Sequence, residues 1–240
     1  MQAAHPLAVN GLLAHSSALD HPYRRLARTA SVMSTIGFGS KRDADRVTAR
    51  VRAMHRRVRG RLKHRIGPYP AGTPYRADDP ELLMWILFTL VDSALVVYQK
   101  YVRSLARDEQ EALWADYRMI GRMFGLPKRD MPADLDALDD YRTDMLEGDR
   151  IFVSHWARDR ARAIVLQPPV PWPALPLLET ANFITIALLP DPIRRQYGFS
   201  PLPPAPLRKA LVAGAAEYVK RVVIPSEPSS LRTAPSARLA

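Results

Sequence analysis

One histidine in the basic stretch RVTARVRAMHRRVRG, residues 46–60, is spaced to do chemistry. Read with a helical step, Val47, Val51, Met54 and Val58 form an apolar stripe. His55 lies on its edge, four residues after Val51 and three before Val58. An imidazole there has two readings. It is a packed, hydrogen-bonded core residue, or it is a ligand. An inward histidine in a helical, cysteine-free chain is one way to hold haem iron. The neighbouring arginines are planar donors suited to carboxylates such as haem propionates. A second constellation is YRRLARTA, residues 23–30. Arg25 and Thr29 are four apart and share a helical face, and Arg24 and Arg28 form another such pair. The threonine either bonds back to its own helix or points with Arg25 into a polar pocket. Gln2 and His5, just before Pro6, read as part of a frayed terminus.

Other catalytic signatures are missing. No HExxH, GxSxG, Walker A or GxGxxG motif occurs. His15, His21, His64 and His155 have no ligand-like spacing, and Asp134, Asp136, Asp139 and Asp140 read as one solvated helix face. The chain has no cysteine, which excludes disulfides, zinc thiolates and cysteine-held iron–sulfur clusters. Any metal must be held by histidine, carboxylate or a cofactor. The lack of cysteine fits a cytoplasmic location, and no secretory leader is read at the start.

Charge is concentrated. Between Lys41 and Arg65 stand eleven Lys or Arg and only two acids, Asp43 and Asp45, which is most of the chain's net charge of +11. A phosphate-binding surface and a solvated helix face are the two readings. The stretch holds no Phe, Tyr or Trp, and nucleic-acid binders usually set aromatic or glycine-rich elements beside the basic patch. Nucleic acid is therefore not expected as a partner. Contact with a membrane surface stays open.

The elements that must position these residues read as helices. An apolar segment, QAAHPLAVNGLLAHS, is broken at Pro6 and Gly11 and begins abruptly, as if truncated. Helices are expected at about 21–36, 41–62, 79–105, 108–124, 132–146, 154–165, 177–189 and 207–222. Ser40 and Asp79 are the clearest caps, the latter with Pro80 in the first helical turn. The run LLMWILFTLV, Leu82–Val91, is too short for a bilayer, which takes ~20 apolar residues, and reads as a buried core helix. No strand alternation or repeat stands out. One all-α, multi-helix domain over residues 1–222 is expected, with a Pro/Ser-rich tail over 223–240.

The ordered set of segments resembles a known family. QAAHPLAVNGLLAHS, YRRLARTASVMSTIGFGS, VRAMHRRVRG, YRADDPELLMWILFTLVDSAL, GLPKRDMPADLDALDDYRTDML, LPDPIRRQYG and LRTAPSARLA follow one another as in the MpaB-type oxygenases, which include the latex-clearing rubber oxygenase. The resemblance runs through nearly the whole chain. It implies an all-α fold around a b-type haem, with His55 as the ligand of the iron. It further implies that Arg25 and Thr29 stand near the oxygen side of the haem, as catalytic residues, with Arg28 beside them as a cofactor contact. The implied partners are O2 and an apolar, isoprenoid-like substrate whose carbon–carbon double bond is cleaved to carbonyls. An apolar channel, lined by the Leu82–Val91 helix, would suit it. Members of that family carry more sequence before QAAHP. Two alternatives stand beside this reading: a haem-binding protein without catalysis, and a basic helical protein that binds nucleic acid or anionic membranes through residues 41–65.

Overall fold

The computed structural model describes residues 1–15, 22–166 and 175–199, with isolated positions at 206, 207, 210, 213, 214, 217 and 221. Its backbone clusters into two units, Met1–Ala157 and Arg158–Ala240. The helix expected over 207–222 and the tail over 223–240 lie almost wholly outside the described residues.

The first unit is helical with one small ribbon. A 3-10 turn, Gln2–Ala4, leads into α1 (Pro6–His15), α2 (Pro22–Phe38) and α3 (Lys41–His55). Strands β1 (Arg59–Arg61) and β2 (Pro74–Arg76) form an antiparallel pair. Then come α4 (Pro80–Tyr101), α5 (Arg107–Met123), a 3-10 turn at Lys128–Asp130, α6 (Leu135–Glu147) and α7 (His155–Leu166), within which the unit boundary falls. α2 packs on α3, α3 and α4 on α5, α5 on α6, and α1 on β2.

α4 is the centre of this unit. Asp79 caps it, its side chain accepting from the Glu81 N–H at 2.9 Å, with Pro80 in the first turn. Leu82, Met84, Trp85, Leu87, Phe88, Thr89 and Val91 are all buried. Trp85 packs against His5 and Phe88, and Phe88 meets the edge of Tyr141. Most of the segment Leu82–Val91 packs into the core, with Leu83, Ile86 and Leu90 half-buried. By length and composition α4 could cross a membrane. Its seven buried residues and the Asp92–Arg142 ion pair, 3.2 Å, fit the core helix read from the sequence.

The described chain is mostly helical, as an all-α class requires, and the small ribbon is a local feature that was not expected. Helix was expected to continue to Leu62, yet α3 stops at His55. Arginine is a good helix former, so nothing local ends the helix. Packing does. Val58 turns off and its Cγ1 lies 3.5 Å from where a Cβ on Gly11 of α1 would stand, with Tyr75 of β2 at 3.7 Å from the same point. The glycine that looked like a helix break is helical, and its bare face seats the ribbon. Each strand has a single inward residue, Gly60 in β1 and Tyr75 in β2, paired with one another. Alternation cannot show in so short a pattern.

The second unit contains α8 (Leu175–Leu188) and α9 (Asp191–Tyr197). α9 was not anticipated. Its buried Arg194 pairs with Asp191 at 2.7 Å and donates to the Leu189 carbonyl at 3.3 Å. Gly198, at φ 71, closes the helix in the left-handed conformation that glycine adopts without strain. Arg158 and Arg162 of this unit donate to the carbonyls of Gln196 and Gly198.

Candidate functional site

Two imidazoles point inward in the described first unit, and their surroundings differ. His5 is fully buried. Its Nδ1 accepts from the Leu7 N–H at 3.3 Å, so the ring proton sits on Nε2, 3.4 Å from the Tyr69 hydroxyl. Tyr69 in turn donates to the Arg150 carbonyl at 3.3 Å. Burial, with Arg150 nearby, pulls the imidazole down to about 4, so His5 is neutral. Every polar atom of the ring is used, which makes His5 a structural tie between the N-terminal segment, the Ile66–Tyr69 bridge and α4. The expected frayed terminus is therefore corrected: Ala4 and His5 are buried, Trp85 Nε1 donates to the Gln2 carbonyl at 3.1 Å, and Phe152 N–H donates to the Ala4 carbonyl at 2.9 Å. Only the restricted backbone of a residue before proline hinted at this order.

His55 is left open. It closes the inward line of α3, which runs through Ala44 and Thr48, both buried, to Val51 and His55, both half-buried. The line differs from the expected stripe, because Met54 is 53% exposed and Val58 lies past the helix end. His55 Nδ1 is shut off from solvent and has no hydrogen-bond partner among the described residues. Burial holds the ring below its ordinary pKa, against a weaker opposing pull from Asp78. A neutral imidazole with an unused buried nitrogen is a ligand-ready state, since metal ligation needs the unprotonated ring.

The ribbon sets the Asp78 carboxylate close to this histidine. Val58 N–H donates to the His55 carbonyl, and Ala77 N–H donates to the Val58 carbonyl. Asp78 follows, gripped in a fork by Arg76 at 3.0 Å through both oxygens, which holds the carboxyl below its usual range.

The remaining site residues lie on α2, the helix packed beside α3. Arg28 and Thr29 are exposed. Arg25 is on the same helix, but its side chain lies outside the described residues. The structure thus brings the two helices together and leaves Arg28 and Thr29 at the surface. A recess of about 370 Å³ is lined by Met1, Gln2, Ala3, Thr89, Leu90 and Ser93, and His55 is not part of it. Among the described residues no group of three or more His, Asp or Glu could hold a metal ion. A cofactor that brings its own ligands and needs one axial imidazole suits such a donor set; a metal held by protein alone does not.

Fold and site together define a helical protein in which, among the described residues, His55 is an inward imidazole with a buried nitrogen that makes no hydrogen bond. The chain belongs to the family described as ER-bound oxygenase mpaB/B'/rubber oxygenase, catalytic domain, whose model matches residues 1–221. It is also similar to uncharacterized proteins of Mycobacterium bovis and Mycobacterium tuberculosis, 24% identical to each over 153 residues, or 64% of this chain. The match spans 56% of the length of each of these curated relatives. No solved structure matches.

Proposed function

We propose that this oxygenase-family chain uses haem b to cleave a carbon–carbon double bond of an apolar, isoprenoid-like substrate with O2. The observation that carries the reading is His55: neutral, inward, with a buried nitrogen that no group among the described residues uses. In this reading His55 holds the haem iron, and its neutral state needs no proton release on binding. Arg28, exposed on α2, supplies a cation for a propionate in this reading. The family reading assigns Arg25 and Thr29 to the oxygen side, where guanidinium and hydroxyl donors would stabilise developing negative charge. Bound haem supplies the O2 chemistry that no side chain can. The balance is closed: both atoms of O2 end in the two carbonyls, and no external reductant is consumed. The partners of this reading are O2 and the apolar olefin.

The test is incubation of haemin-loaded protein with a short polyisoprenoid under air. Oxygen uptake matched by two trapped carbonyls per bond cleaved is the expected result. Haem loading without O2 uptake on any olefin would leave a haem-binding protein and refute the oxygenase reading.

A further inference from the structure

The outer face of the ribbon is built against its own stability. In the register found, Arg59 stands directly opposite Arg76, and Arg61 follows on the same face. Like charges opposed across a strand pair are destabilising, yet the sequence keeps them. Arg76 is neutralised by Asp78. Arg59 turns back to the Arg56 carbonyl, Arg61 donates to the Gly72 carbonyl at 2.9 Å, and Arg65 to the Gly67 carbonyl at 3.2 Å. These carbonyl contacts hold the guanidiniums in place without neutralising them; of the three only Arg59 also feels a carboxylate, that of Asp78, which Arg76 already grips. The two acids of the stretch are consumed elsewhere, Asp43 by Arg46 at 3.2 Å and Asp45 by Lys41 at 2.8 Å. Among the described residues no carboxylate pairs with Arg50, Arg56, Arg57, Arg59, Arg61 or Arg65, all exposed. Met54, 53% exposed, lies one turn after Arg50 on the outer side of α3.

We propose that this arginine face, from the end of α3 through β1, docks the protein on an anionic phospholipid surface. Charge complementarity selects phosphate, and its extent selects a surface over a single ion. The absence of any Phe, Tyr or Trp from residues 41–65 removes the stacking platforms a nucleic acid would use. Exposed Met54 gives the face an apolar side chain to set among acyl chains. The docking would present the His55 end of α3 to the bilayer, where an apolar substrate dissolves. That purpose rests on the proposed function, whereas the lipid binding itself does not.

The test is flotation of the full chain with phosphatidylcholine vesicles, with and without phosphatidylglycerol, at low and high salt. Arg57→Gln/Arg59→Gln/Arg61→Gln is compared with the wild type and with Arg122→Glu on α5 as a control, each checked for folding by circular dichroism. Partition into the phosphatidylglycerol vesicles that falls with salt is expected. Each arginine near a charged bilayer is worth about fivefold in partition, so the triple variant should lose on the order of a hundredfold, with the control unchanged. Equal binding to neutral vesicles, no binding at low salt, or undiminished binding by the triple variant would overturn the proposal. So would displacement from the vesicles by an oligonucleotide, which would make nucleic acid the occupant. The assay is run with and without haemin, so a failure of haem binding does not disturb its outcome.

Discussion

Acid should loosen this fold through one residue, His5. The unfolded imidazole titrates near 6.5, and in the folded protein burial, helped by Arg150, lowers it to about 4. Between these values the unfolded chain binds one more proton than the native state, so stability rises with pH across the window and is lost as pH falls. The contribution is complete above 6.5. Acidification to about pH 4 should remove about 3 kcal/mol of it, a large share of a typical domain's stability. The group is fully buried, so solvent screening does not discount this much. His5→Asn keeps an acceptor for the Leu7 N–H and cannot titrate, which makes it the comparison protein. Asp92 works with the opposite sign: burial raises its carboxyl, so the native state holds that proton longer. Being present in both proteins, it cancels in the difference. The assay is urea unfolding from pH 7 to pH 4, followed by tryptophan fluorescence, since Trp85 lies beside His5 with ring centroids 6.4 Å apart. The stability gap between wild type and His5→Asn should shrink by about 3 kcal/mol over that range. Parallel curves, or a His5 resonance titrating near 6.5 in the folded protein, would refute the reasoning.

Two further outcomes check the scaffold. Gly60→Ala would place a Cβ 2.5 Å from the Tyr75 hydroxyl and 2.7 Å from its Cζ, so the ribbon must shift. An overpacking cost of ~1–3 kcal/mol is expected, and a denaturant midpoint equal to wild type would contradict the seating of Tyr75 under β1. Asp79→Ala removes the acceptor at the start of α4, with an expected loss of ~1 kcal/mol; an unchanged melting temperature would show that the cap contributes nothing.

What could be read from the sequence was what local chemistry decides. The start of α4 was plain, because Asp79, Pro80 and Glu81 each act on the first turn and need no distant partner. Ser40, which accepts from the Asp43 N–H at 3.2 Å, was legible for the same reason. The inward placement of His55 followed from spacing alone, although the stripe leading to it runs through Thr48 and not Met54. Features fixed by distant residues were hidden. His5 is held by Tyr69, Trp85 and the backbone of Arg150, all remote in sequence. The end of α3 is set by the ribbon's packing on Gly11, so good helix formers were read as more helix. α9 was missed because its stability rests on a buried Arg194 and a closing Gly198, neither of which makes a periodic pattern in seven residues. The nearness of Asp78 to His55 depends on the same unforeseen ribbon.

The central claim is that His55 is free to ligate haem iron. The most direct measurement is the absorption spectrum of the purified protein with and without added haemin, for wild type and for His55→Ala. The account predicts a Soret band in the wild type that is lost or shifted in the variant, while His5→Asn leaves it in place. A Soret band unchanged in His55→Ala, or no haem bound by the folded wild type, would contradict it.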